Sequence, residues 1–151
     1  MEVKQNVEEK VENLMRWYEA EQTDARPSQA QWQHILSLPK DKPITLINFF
    51  KFREEARYQT NGYEPVSGSD AFGRYAAVSI PTMETIGGKF LHVGPSAGSF
   101  LGEEEDWDLI AIGSYPDVDA LYALYSDEDY RKAFHHRSAA IERQKVVACT
   151  S

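Results

Sequence analysis

Cysteine is almost absent from this 151-residue sequence, in which Cys149 is the single thiol. One cysteine cannot form an intrachain disulfide, and it leaves no pair or cluster of thiolates for a zinc site. The sequence therefore does not encode a disulfide-rich scaffold or a cysteine-ligated zinc protein. This cysteine usage is typical of proteins from a reducing compartment.

Long apolar runs are also missing. No stretch approaches the ~20 consecutive apolar residues that span a bilayer as a helix. Residues 1–10 are mostly polar and lack the apolar centre of a signal peptide. We therefore predict a cytoplasmic protein that has no membrane partner.

Positive charge is in deficit, with 16 basic residues against 24 acidic ones and a net charge of −8. The basic residues are scattered along the chain, and the densest charged run, residues 103–106, is acidic. A negative surface repels nucleic acids and anionic lipids unless basic residues cluster on one face. The sequence therefore predicts no nucleic-acid partner.

The composition, 42% hydrophobic and 26% charged, is that of an ordinary globular chain. Near the N-terminus, apolar residues recur every three or four positions, which predicts an amphipathic helix ending near residues 24–27. These residues are Val3, Val7, Val11, Leu14 and Tyr18. Ser28 is predicted to cap a second, short helix that ends before Pro39. We therefore divide the chain into an N-terminal helical extension, residues 1–39, and a main domain, residues 40–151.

The main domain alternates between strand and helix patterns. Strands are predicted from residue 44 to 52, from 89 to 93, from 107 to 115 and from 146 to 149. A helix capped by Ser69 separates the first two strands, and helices capped by Asp117 and Asp127 separate the last two. The order β-α-β-β-α-β predicts an α+β, ferredoxin-like sandwich with its helices on one face of an antiparallel sheet.

The central strands are apolar on both faces, so the face without helices needs a cover. A second copy of the same sheet provides one, because two such faces pack as a self-complementary pair. We therefore predict a homodimer.

Several short motifs occur in a recognisable order. They are 46–53 (LINFFKFR), Ser67-Gly68, Arg74-Tyr75, Gly87-Gly88, Trp107-Asp108, Tyr115-Pro116, Asp129-Tyr130 and His136-Arg137. Together they resemble the bacterial domain-of-unknown-function family DUF1330, of the dimeric α/β-barrel superfamily. The resemblance covers roughly residues 44–149 and implies the ferredoxin-like fold and the homodimer, but no established reaction. The N-terminal extension departs from the compact core of that family.

Arg137 is the first candidate for a functional side chain. Its spacing from Tyr130, Phe134 and Ile141 places it on the apolar face of the last helix. A guanidinium there needs a partner, and its planar fork suits the carboxylate of a ligand. The alternative is structural, either an ion pair with an acid such as Asp108 or Glu84 or extension of the side chain to solvent.

Asn48 interrupts the first strand of the main domain. Its amide either orients a ligand between sheet and helices or bonds neighbouring protein groups. His136 is a tentative general acid or base. His135 points about 100° away from it on the same helix, so the two cannot chelate one metal ion. We predict no metal site and no cofactor.

In a ferredoxin-like fold these candidates are expected to surround one space between helices and sheet. The full set comprises Asn48, Tyr75, His92, Trp107, His136 and Arg137. The first functional hypothesis is a homodimer that binds a small anionic organic molecule in this space. The superfamily resemblance implies cofactor-independent oxygenase or isomerase chemistry as a possible activity. The second hypothesis is a non-catalytic dimerisation module that uses its N-terminal helices as an interaction surface.

Overall fold

The computed structural model describes residues 2–151, with side chains from residue 6 onward. Two helices precede the first strand, and the remaining elements follow the predicted order, including the two predicted helices between the last two strands. The elements are α1 (Glu2–Trp17), α2 (Gln29–Leu36), β1 (Ile44–Phe52), α3 (Gly68–Thr85), β2 (Lys89–Pro95), β3 (Leu109–Tyr115), α4 (Val118–Ser126), α5 (Glu128–Ala140) and β4 (Ile141–Thr150). The side chain of Val3, which the sequence placed on the apolar face of the first helix, lies outside the described residues.

The four strands form one sheet in the order β2-β3-β1-β4, and every neighbouring pair is antiparallel. This is the ferredoxin-like arrangement that the sequence predicts. Ile44 and Phe50 of β1 are buried on the face that the helices cover. The residues between them alternate, so Ile47 and Phe49 lie on the opposite face. The predicted fold class is confirmed.

The start of α3 differs from the sequence prediction. Ser67 is the N-cap, since its Oγ accepts a hydrogen bond from the backbone N–H of Asp70 at 3.0 Å. Ser69, the predicted cap, lies inside the first turn. Gly68 permits this start because its backbone N–H bonds Arg53 O at 3.0 Å in a space that has no room for a side chain. The other predicted caps, Ser28, Asp117 and Asp127, are confirmed.

The strand end predicted at residue 93 and the strand start predicted at residue 107 lie two residues later, at Pro95 and Leu109, and two other boundaries differ more. The helix predicted to reach residues 24–27 ends at Trp17. The last strand begins at Ile141, five residues before the predicted start at residue 146. Its first half carries Glu142, Arg143 and Lys145, which hide the strand signal because an edge strand tolerates charged, exposed side chains.

The N-terminal extension contributes to the main core. Leu14 of α1, Tyr18 directly after it and Trp32 of α2 are buried against Leu121 and Tyr125 of α4. The Tyr18 hydroxyl donates to the backbone oxygen of Tyr125 at 2.8 Å. This packing fixes the extension to the helical layer, while the division at residues 39 and 40 stays a prediction. Over residues 2–151, no helix combines the length and the apolar character of a membrane span.

Candidate ligand-binding cavity

A cavity of about 840 Å³ lies between the sheet and its helical layer. β1 contributes Leu46, Asn48 and Phe50 to its lining, and β3 contributes Leu109 and Ala111. Helices α3 and α5 lie on the other side, and residues from 24 to 38 form a further wall. Such a volume is within the range of small-molecule sites, which span about 300–1,000 Å³. The extension predicted as an appendage therefore helps to enclose the cavity.

Arg137 is the one buried charged residue described in the core, with 7% of its surface exposed, and it lines this cavity. Its Nη1 donates to the hydroxyl of Tyr75 at 3.2 Å, and its Nη2 donates to Oε1 of Gln144 at 3.0 Å. Its Nε is buried and has no hydrogen-bond partner among the described residues. The guanidinium stands 5.1 Å from the ring centroid of Phe50. The guanidinium therefore keeps unused hydrogen-bonding capacity, because it carries five N–H groups.

No carboxylate of the described residues forms an ion pair with Arg137. Asp108, one of the acids considered from the sequence, instead accepts from the backbone N–H of Phe52 at 2.8 Å and from Lys51. An isolated buried cation is costly because the apolar interior replaces its hydration shell. The structural ion pair that the sequence left open is therefore not formed.

The surrounding phenols determine the protonation of this cavity. Burial lowers the pKa of Arg137, but the nearby hydroxyls of Tyr75, Tyr125 and Tyr130 outweigh that effect and raise the pKa above its ordinary value. Burial likewise raises the pKa of Tyr125 and of Tyr130, so both phenols stay protonated at neutral pH. The hydroxyls of Tyr75 and Tyr130 share a hydrogen bond of 2.6 Å. The site is a fixed cation among neutral phenols.

Asn48 lies on the floor of the same cavity. Its Nδ2 donates to the backbone oxygen of Ala111 at 3.0 Å and more weakly to that of Leu46 at 3.4 Å. These bonds fix the amide, while its Oδ1 accepts no hydrogen bond from the described residues. The Asn48 nitrogen therefore bonds neighbouring protein groups, which is one of the two alternatives predicted from the sequence. The oxygen remains as an acceptor for a ligand.

His92 and Trp107 do not join this cavity, which corrects the expectation that six candidates share one space. A β-bulge at Leu91 places Phe90 opposite Gly113 and His92 opposite Ile112. Residues two apart in a regular strand share a face, but the bulge puts Phe90 and His92 on opposite faces. His92 therefore lies on the face of the sheet that the helices leave open.

Trp107 precedes β3 and packs on the same open face. Its ring lies 5.7 Å from that of Phe49, and the Arg143 guanidinium lies 4.2 Å from its ring centroid. Its Nε1 donates to Glu105 at 2.9 Å. Trp107 and His92 line a smaller hollow of about 350 Å³, which the sheet separates from the Arg137 cavity.

His136 also lies outside the lining of the cavity, because adjacent helical positions diverge by about 100°. The Tyr58 hydroxyl and His136 Nδ1 share a hydrogen bond of 2.6 Å, and the Tyr58 oxygen also accepts from Arg74 Nη1 at 3.2 Å. Burial, with the neighbouring charges of His135 and Arg74, lowers the pKa of His136 to about 4. The ring is therefore neutral at physiological pH, and it orders the loop that carries Tyr58.

Three of the six candidates, Asn48, Tyr75 and Arg137, thus lie together. Sequence reasoning missed Gln144, which bonds Arg137 and also donates to the backbone oxygen of Asp24 at 3.5 Å. Gln144 lies in the charged half of β4 that carries no strand signal. Within residues 2–151, no three histidine, cysteine or acidic side chains are placed to share a metal ion.

The fold and the cavity define a ferredoxin-like α+β protein with a buried arginine between sheet and helices. The model of DUF1330, a domain of unknown function, matches residues 62–149, and the chain belongs to this family. The match begins after β1, a narrower range than the resemblance noted in the sequence. Among curated proteins, none matches this chain.

Two solved structures are similar to this chain. One is a crystal structure of methylated RPA0582 protein, with 27% identity, a TM-score of 0.78 and coverage of 84% of this chain and 93% of that chain. The other is the RPA0582 protein of unknown function from Rhodopseudomonas palustris, with 26% identity, a TM-score of 0.76 and coverage of 85% and 96%. The high coverage indicates a common architecture along most of both chains.

Proposed function

We propose that this protein binds a small organic anion, with the acidic group of the ligand at Arg137 and its apolar body in the cavity. The observation that carries the proposal is the buried guanidinium that has an unused donor and no carboxylate partner among the described residues. A bound carboxylate supplies the missing countercharge, and it accepts two parallel N–H donors from an arginine. Asn48 Oδ1 then orients the ligand from the floor.

The proposal is one of binding and assigns no reaction. His136, the predicted acid or base, does not line the cavity, and the buried phenols of Tyr125 and Tyr130 hold their protons at neutral pH. The superfamily resemblance implied oxygenase or isomerase chemistry, but His136, Tyr125 and Tyr130 do not supply a proton acceptor for it in this cavity. The alternative of a purely structural module predicts a filled interior, which a cavity of about 840 Å³ disfavours.

The proposed binding protein is a homodimer. On the open face of the sheet, Ile47 of β1 lies opposite Ile112 of β3 and opposite Val147 of β4. The two edge strands also carry exposed apolar side chains, including Leu91 at 58% and Val147 at 43%. The apolar row of Ile47, Ile112 and Val147 across this face supports pairing with a second copy.

Binding is tested with 8-anilinonaphthalene-1-sulfonate, an anionic dye whose fluorescence rises in apolar sites. N-phenyl-1-naphthylamine, which has a similar aromatic body without the charge, is the matched neutral probe. We expect Arg137→Met to weaken binding of the anionic dye at least tenfold and to leave binding of the neutral dye nearly unchanged. The reason is that methionine keeps the apolar lining and removes only the charge.

Arg131→Met is the control variant. Arg131 lies on the same helix and also has a buried Nε, but it packs over the ring of Trp17 and does not line the cavity. Equal loss of anionic dye in both variants would show that the dye senses general positive charge, and the proposal would then be wrong. Failure of the wild-type protein to bind either dye would also contradict it.

A further inference from the structure

The cavity is long in one direction. Four alternate residues of β4 line it, namely Gln144, Val146, Ala148 and Thr150. A strand rises about 3.4 Å per residue, so these positions span roughly 20 Å. The cavity therefore extends along almost the whole length of β4.

One end of this space is closed by packed side chains. Gln144 pairs with Phe50 in the β1–β4 register, and past this level Phe52 packs against Phe72 at 5.1 Å between ring centroids. Ala71 and Ile141 complete a small apolar cluster there, and Phe52 does not line the cavity. Arg137, which bonds Gln144 and lies over Phe50, thus stands at the closed end.

Apart from Asn48, the floor of the cavity beyond Arg137 is largely apolar. Leu46, Ala111 and Ala148 line it, and Gly113 has no side chain, so its space is taken by Met83 and Phe90. Phe90 and Val93 of β2 line the cavity and are 39% and 51% exposed, and Val146 of β4 is 42% exposed, so the groove opens along both edge strands. The shape is a groove with Arg137 at its closed end, a largely apolar floor, and a wall of residues 24–38 in which apolar side chains alternate with polar and charged ones.

We infer that the ligand is a fatty acid, a linear alkyl carboxylate. Its carboxylate contacts Arg137 and its alkyl chain lies along β4. This inference rests on the proposed function and adds the class of anion. A compact anion would fill the Arg137 end alone and leave most of the apolar groove in contact with water. A linear chain covers the groove over its length, and each buried methylene adds to the binding free energy.

The test displaces 8-anilinonaphthalene-1-sulfonate from delipidated wild-type protein with straight-chain acids from hexanoate to hexadecanoate, each below its micelle concentration. We expect the affinity to rise about two- to fourfold for each added methylene until the groove is full. The alcohols of the same chain lengths are expected to bind at least tenfold more weakly, because they lack the charge that Arg137 pairs with.

A substitution within the groove gives a readout that general apolar binding does not produce. Ala148 pairs with Leu46 halfway along the groove and is exposed, so the fold tolerates a larger side chain there. Ala148→Phe blocks the half of the groove that is distal to Arg137. We expect it to weaken the binding of hexadecanoate at least tenfold and to leave the binding of hexanoate unchanged. Ala148→Ser, which adds one oxygen, is expected to keep the wild-type chain-length profile.

Each outcome separates this inference from the proposed function. Dye that binds through Arg137 but is displaced by no alkanoate, while a compact acid such as 2-naphthoate displaces it, overturns the acyl ligand and retains the anion site. Equal displacement by acids and alcohols overturns both. A chain-length profile that Ala148→Phe leaves unchanged places the acids outside the groove and also overturns the inference.

Discussion

We expect Arg137 to lower the stability of the ligand-free protein, because a buried cation without a carboxylate partner among the described residues loses hydration that Tyr75 and Gln144 restore in part. The same side chain provides the binding energy for an anion. Removal of one partner from a formed ion pair is strongly destabilising, whereas replacement of an uncompensated charge by an apolar side chain of similar length is often stabilising. Stability and binding are thus opposed at this residue.

We therefore predict that Arg137→Met stabilises the ligand-free protein by about 1–3 kcal/mol. For a chain of this size, that corresponds to a rise in Tm of roughly 2–4 °C per kcal/mol. Differential scanning calorimetry on delipidated protein measures the shift. A large loss of stability would instead show that the hydrogen bonds from Arg137 to Tyr75 and Gln144 outweigh its burial cost.

A separate prediction concerns the stability of the protein at acidic pH, where the charge of His136 changes. Its pKa in the folded protein is about 4, below the ordinary value of 6.5, so between these limits the unfolded chain binds more protons than the folded one. Stability contributed by the neutral ring is present above pH 6.5 and is lost as the pH falls toward 4. Because the ring is partly exposed and solvent screens its interactions, we expect a loss of about 1 kcal/mol.

Urea denaturation at a series of pH values measures this effect as the difference between wild type and His136→Phe, which keeps the ring but does not titrate. The carboxylates titrate equally in both proteins and cancel in the difference. Parallel stability curves from pH 7 to pH 4 would mean that His136 charges freely in the folded state.

At the scale of elements, helix α3 contains two glycines in opposite environments. A Cβ at Gly68 would lie 2.7 Å from the backbone oxygen of Ala140 and 2.8 Å from the backbone nitrogen of Arg53, whereas a Cβ at Gly73 has nothing within 4 Å. Backbone atoms at the first site cannot move without disturbing β1 and α5. The two positions therefore respond differently to the same substitution.

We predict that Gly68→Ala destabilises the protein by about 2–4 kcal/mol, as in overpacked cores. Gly73→Ala should stabilise it by about 0.5–1 kcal/mol, since alanine is the better helix former. Chemical denaturation of the two variants side by side measures both values. A similar effect of both substitutions would contradict the close approach of α3 to the sheet.

The helices and strands differ in how well the sequence predicts them. β1 is predicted at its observed ends because both of its faces are apolar, and Arg137 is found because helical spacing aligns it with Tyr130 and Phe134. The sequence assigns His92 to the wrong face of the sheet because no residue pattern indicates the bulge at Leu91. Gln144 is missed because an edge strand with charged residues resembles a loop, and its two partners become neighbours only in the folded chain.

At the scale of the whole molecule, the open face of the sheet is the surface that we propose to pair with a second copy. We predict that native mass spectrometry shows a dimer and that Ile112→Lys converts it to a monomer, because two lysines would then face each other near the dimer axis. Glu84→Lys adds the same side chain at an exposed position on α3 and should remain dimeric. A monomeric wild-type protein would refute the proposed assembly.

The central position of β1 in the sheet determines which fragments of the chain can form a continuous sheet. The DUF1330 match starts at residue 62, yet β1 stands between β3 and β4 and is the sole strand that joins them. A fragment cut at the boundaries of the match would retain a two-stranded β2–β3 hairpin and an unpaired β4, with no continuous sheet. The region that defines the family in sequence is therefore not an autonomous folding unit, and any minimal fragment must begin before Ile44.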